Sequence, residues 1–176
     1  MSKKYFLIFG LGVLLFSGAQ TFAQTLKLPY RDVGACPFEC CTYREWTATK
    51  PLVLYKNMNG KSPVAFRVKK GEKVTGMTGV VITNTPGKAV ALKAFTFESS
   101  KVKLKKGETI QLLTYLGEGW FRFWHKGKLY EDDGYADGLK ITAQPKAVWW
   151  VKIKNRKGQI GWTKSSGDFD NQDQCG

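Results

Sequence analysis

Trp149-Trp150-Val151-Lys152-Ile153-Lys154-Asn155-Arg156-Lys157-Gly158-Gln159-Ile160-Gly161-Trp162 is the stretch that decides the fold class. After the Trp pair, lysines alternate with β-branched residues. Alternation at period two marks a strand with one apolar face. Lys157-Gly158 reads as a turn and Ile160-Gly161-Trp162 as a second short strand, so the whole is a β-hairpin. By alternation Trp150, Lys152 and Lys154 share a face, opposite Trp149, Val151 and Ile153. The face carrying Trp150 reads as the basic, wet one.

The same pattern of short strands runs upstream. Trp46–Tyr55 and Val64–Val68 are strand-like, Asn57–Pro63 and Asn84–Gly87 are turn clusters, and Lys69-Lys70-Gly71-Glu72 is a tight turn feeding Lys73–Gly76. No segment keeps a helical period, and glycine is frequent, at 19 residues. The chain therefore reads as all-β, with the short strands of small barrels. It also repeats itself. Val68-Lys69-Lys70-Gly71-Glu72-Lys73-Val74 matches Leu104-Lys105-Lys106-Gly107-Glu108-Thr109-Ile110, and Trp120-Phe121-Arg122-Phe123 matches Trp150-Val151-Lys152-Ile153.

Together these motifs resemble the bacterial SH3-like (SH3b) domain family, whose short form is a strand, a K-x-G-E-x-V turn, W-x-K-V and a closing G-x-x-G-W. The first copy has the turn at Val68–Val74 but no Trp strand after it. The second has turn and Trp together at Leu104–Phe123 but no closing G-W. Trp149–Trp162 is a closing hairpin without a local front half. The resemblance implies two small SH3-like barrels. Nesting is the economical arrangement: one barrel over 46–85 plus 147–167, with the second, 86–146, inserted into it. Two tandem barrels, each degenerate, are the rival. Domains of this family bind peptides and cell-wall material and do not catalyse. The Trp that opens their third core strand lines a ligand groove, which carries over to Trp150 and, in the insert, to Trp120. Lys152 and Arg122 follow on the same faces, and Trp149 and Tyr55 are further candidates for that groove. The alternative role for these Trp residues is packing between the two barrels.

The front of the chain reads as a secretory signal peptide over 1–23: Lys3-Lys4, an apolar run from Tyr5 to Phe16, then small residues ending at Ala23. No later segment is apolar enough to cross a membrane. The expected location is therefore periplasmic or secreted, where disulfides form. Residues 24–45 read as an extended arm stapled by cysteines, and 168–176 as a C-terminal tail. The four cysteines are Cys36, Cys40, Cys41 and Cys175. Adjacent cysteines seldom pair, so Cys36 is expected to bond one of Cys40 and Cys41, and Cys175 the other. C-x-x-x-C-C with one distant Cys does not match a structural zinc site, and no metal or other cofactor is expected.

Removing Lys3 and Lys4 from a net charge of +14 leaves +12. Such a surface favours anionic partners. Export argues against nucleic acid as one of them. The single His and the absence of G-x-S-x-G, phosphate-loop and H-E-x-x-H motifs argue against an enzyme. The acidic loop Glu131–Gly138 fits no calcium template and reads as a solvated turn. The expected function is an exported, non-catalytic binding module for peptidoglycan peptide or another anionic envelope ligand, held in a Trp-lined, Lys-rimmed groove. The alternative is a scaffold or inhibitor that acts on an exported enzyme through a protein interface.

Overall fold

The computed structural model describes residues 24–164 and 166–175; the expected signal peptide lies outside them. The described chain is all-β. In order its strands are β1 (Tyr30–Val33), β2 (Glu45–Ala48), β3 (Leu52–Tyr55), β4 (Val64–Val68), β5 (Lys73–Thr85), β6 (Gly87–Ala91), β7 (Phe95–Thr96), β8 (Lys103–Leu104), β9 (Thr109–Gly117), β10 (Trp120–His125), β11 (Lys128–Asp133), β12 (Leu139–Ala143), β13 (Lys146–Lys154), β14 (Ile160–Thr163) and β15 (Phe169–Asp170).

An eight-stranded sheet has the order β15-β2-β5-β13-β14-β3-β4, with β1 also on β5. A five-stranded sheet has the order β12-β6-β9-β10-β11, and β7-β8 form a separate hairpin. The larger sheet draws its strands from both sides of the smaller one in sequence. The two share one plan, β15-β2-β5-β13-β14 running strand for strand like β12-β6-β9-β10-β11.

The repeated turn explains part of this likeness. Gly71 and Gly107 take positive φ, +79° and +82°, which a side chain would strain. In each turn the Glu carboxylate accepts the N–H three residues earlier, Glu72 from Lys69 and Glu108 from Lys105, both at 2.9 Å. Each turn also clips onto the strand that pairs with the one it feeds, β2 beside β5 and β6 beside β9. Gly71 N–H donates to Ala48 and Gly107 N–H to Ala91, both at 2.7 Å. The closing hairpin turns differently. The buried Asn155 accepts from the N–H groups of Lys157 at 3.0 Å and Gln159 at 2.9 Å, and Gly158 takes φ +79°.

Alternation builds two cores. In the larger sheet Trp46, Leu52, Leu54, Phe66, Val151 and Ile153 point inward. Trp46 is fully buried, packs at a tilt against Phe169 with ring centres 5.4 Å apart, and donates its indole N–H to Thr42 O at 3.0 Å. In the smaller sheet Phe97 stacks on Phe123 at 5.0 Å, with Ile110 and Leu112 beside them. Burying each such side chain is worth about 1.5–3 kcal/mol.

Three readings of the sequence change in detail. The strand-like stretch Trp46–Tyr55 breaks into β2 and β3 around Pro51, which has no N–H for a ladder. The arm contributes β1, paired along β5 from Tyr30↔Thr83 to Val33↔Val80. Residues read as a tail contribute β15, and Phe169 is buried in the core. The cysteines bond as Cys36–Cys41 and Cys40–Cys175.

Gly76 fixes the approach of β5 to Trp46: a Cβ there would lie 2.7 Å from the indole. Gly76→Ala is expected to lower unfolding free energy by about 1–3 kcal/mol through overpacking, read as a fall in the urea midpoint. Gly60→Ala, where a Cβ meets open space, should leave the midpoint unchanged.

Candidate functional site

The two sheets meet where β5 and β13 run past the larger core. The buried Thr83 hydroxyl donates to Leu113 O at 2.8 Å, tying β5 to β9. Arg122 on β10 ion-pairs with the buried Asp32 of β1 and with Glu131 on its neighbour β11. The arm closes the junction from one side. Gly117 lies against the backbone of Glu39, and Gly79 lies beneath the Trp149 indole and the Tyr43 hydroxyl. Tyr43 donates to Ala35 O. Burial pushes its hydroxyl up to about 12, with the neighbouring Trp149 N–H pulling the other way. That N–H nevertheless falls short of a hydrogen bond and has no partner among the described residues.

A cleft of about 420 Å³ opens at this junction. Its walls include Tyr115 and Phe121 from the smaller sheet, Tyr135 from the β11–β12 loop, Trp149 from β13, and Pro37 and Pro145. Tyr115 is 39% and Tyr135 64% exposed, so both stay accessible at the cleft. Trp149 is half-buried, with Phe38 at 5.9 Å and Trp46 at 6.5 Å behind it. The lining holds no carboxylate, imidazole, thiol or ammonium. Such a surface suits stacking on flat or apolar groups, with the Tyr115 and Tyr135 phenols as its titratable groups.

Of the residues singled out from sequence, only Trp149 lines this cleft. Trp150 is 7% exposed. Simple alternation puts it on a wet face, but Val80, Val81, Trp150 and Val151 are all buried. Both faces of the β5–β13 pair are covered there, so Trp150 belongs to the packing. Trp120, at 36% exposure, stands on a ridge between two other clefts. One, of about 680 Å³, holds Glu39, Glu118, Glu131 and the Cys40–Cys175 bond. The other, of about 500 Å³, holds Asp132, Asp133, Asp137 and Lys93. Arg122 is committed to its two carboxylates. Tyr55 and Lys152 lie elsewhere, on the larger sheet, flanking Trp162. The candidates thus do not converge on a single groove.

The acidic loop is more than a solvated turn. Asp132 is buried, and its carboxylate accepts the N–H groups of Ser99 at 3.2 Å and Ser100 at 2.6 Å. Glu39, Cys40 and Cys175 lie close enough to suggest a metal set, but both sulfurs are spent in the disulfide. Glu118 beside it pushes the Glu39 carboxyl above the usual range. Tyr115, Tyr135, Pro37 and Pro145 escaped the sequence reading. Tyr135 alone carries a signal, as a large aromatic next to glycine in a polar loop.

No known protein family, curated protein or solved structure matches this chain.

The single histidine is packed into the fold. His125 is buried at the β10–β11 turn, 3.6 Å from Glu108, which Lys126 also holds. Burial lowers its pKa below the ordinary 6.5, against the pull of Glu108. The unfolded chain thus takes up this proton more readily than the folded one. Stability from this group is whole above pH 6.5 and is lost as pH falls through the lower folded value. Urea midpoints measured from pH 7.5 down to 5 should fall for the native chain, and His125→Gln should remove that part of the slope.

Proposed function

We propose that the protein is an exported, non-catalytic binding module that holds an extended peptide of the cell envelope, such as a peptidoglycan stem peptide, in the aromatic cleft between its sheets. In this reading the two sheets are nested SH3-like barrels. The observation that carries the proposal is the cleft: the Tyr115, Tyr135 and Trp149 rings converge there with two prolines, and the lining has no carboxylate, imidazole, thiol or ammonium. Flat rings give large contact area at small entropic cost, which suits an extended chain. Two disulfides among the described residues fit an oxidising compartment. The basic surface favours approach to an anionic envelope.

A segment of an exported protein would present similar chemistry to the same cleft, which keeps a scaffold or inhibitor role as the second reading. The two part company on what is retained. On the first reading, purified cell-wall sacculi hold the protein at moderate salt. On the second, a stoichiometric protein co-purifies from the envelope and sacculi alone hold nothing. In either case Tyr135→Ala should weaken retention about tenfold, as loss of an interface aromatic does, without moving the urea midpoint. Binding to sacculi or partner that ignores Tyr135→Ala and Tyr115→Ala alike would put the ligand elsewhere and sink the proposal.

A further inference from the structure

The outer face of the larger sheet is built differently from the cleft. Register pairs Tyr55 with Trp162, Trp162 with Lys152, and Ile160 with Lys154. Residues directly opposite each other in a sheet share a face. Tyr55, Trp162, Lys152 and Lys154 therefore stand together, on the side away from the buried Leu54, Val151 and Ile153. Arg67, exposed opposite Val53 on the neighbouring strand, extends the same face. Lys152 Nζ lies 5.7 Å from the centre of the Trp162 ring, a cation–π contact that leaves the ammonium open to an anion.

Charge on this face is unbalanced. Among the described residues Arg67, Lys152 and Lys154 make no ion pair. Three carboxylates of the larger sheet and its turn are already engaged, Glu45 by Lys73 at 2.7 Å, Asp168 by Lys50 at 2.8 Å, and Glu72 by the Lys69 N–H, while Asp170 sits on β15 at the opposite edge of the sheet from β4. Tyr55 and Trp162 are half-buried, so each is anchored in the sheet while keeping part of its surface accessible.

We infer that this face is a second binding surface, for an acidic polysaccharide running across the strands. Tyr55, Trp162 and Lys152 sit on three adjacent strands, β3, β14 and β13. Neighbouring strands lie about 4.8 Å apart, close to the length of one sugar ring in an extended glycan. Successive sugars thus meet a phenol, an indole and an ammonium in turn. The C–H faces of the rings stack on the aromatics, and the carboxylates pair with Lys152, Lys154 and Arg67. None of these residues lines the aromatic cleft, so this surface is independent of the peptide reading.

Retardation of the purified protein in gels containing polygalacturonate tests the inference, with neutral dextran, a single-stranded oligodeoxynucleotide and phosphatidylglycerol vesicles as comparison probes. Polygalacturonate should slow the native chain and dextran should not. Lys152→Gln/Lys154→Gln should weaken polygalacturonate binding about tenfold, in keeping with the loss of two charge contacts, and raised salt should act in the same direction. Tyr55→Leu should weaken it with the lysines intact, while Tyr135→Ala should leave it unchanged. Equal binding in the lysine and Tyr55 variants overturns the inference. So does binding of the oligonucleotide or the vesicles as tight as that of polygalacturonate, which makes the face a general polyanion or membrane surface.

Discussion

The structure hangs on the pairing of β5 with β13. Nine residues of β13 pair along eleven of β5, from Lys146↔Thr85 to Lys154↔Thr75, although the smaller sheet separates the two strands in sequence. Without this ladder the larger sheet has no middle, because β2 and β15 attach on one side of it and β14, β3 and β4 on the other. The same register brings Thr85 beside Lys146, so the stretch between them leaves and re-enters at one point. β6 and β12 then zip its ends, Lys88 against Ala143. Insertions whose termini are close cost a host little strain. The expense is kinetic: the ladder waits on closure of a long loop, and such non-local pairing folds slowly.

Local chemistry was legible in the sequence and long-range chemistry was not. The K-K-G-E turns, the Trp-opened strands and the Asn-Arg-Lys-Gly hairpin are short-range patterns, and each appears as a turn or strand in its place. The partners of the cysteines were narrowed by adjacency alone. The cleft was not legible, because its walls come from the arm, the β11–β12 loop, β9, β10 and β13. Trp150 shows the limit most clearly. Alternation says which residues share a face, but not whether the face is covered. Along the middle of β5 and β13 both faces are.

The two sheets share their strand order, and their equivalent positions have taken different work. Arg122 and Lys152 occupy matching places on β10 and β13, each opposite a residue on the closing strand: Glu131 for Arg122, Trp162 for Lys152. In the smaller sheet the cation is neutralised on its own face and then reaches the buried Asp32, fastening that sheet to β1. A planar guanidinium can serve two carboxylates at once; an ammonium is a point charge. The choice of Arg there and Lys here follows that difference.

The consequence reaches the aromatics. Trp120 and Trp150 are also equivalent, yet the first stands between acidic clefts while the second is sealed where both faces of its sheet are covered. A repeat normally predicts repeated sites. Here the junction consumes one copy of each element. Arg122 becomes a fastener, Trp150 becomes packing, and Trp149, on the inner face, keeps one edge in the core and another in the cleft. What is left free is what the junction does not need: the lysines and rings of the outer sheet, and the tyrosines at the seam. The two halves therefore expose different positions, each leaving open what the contact between them has spared.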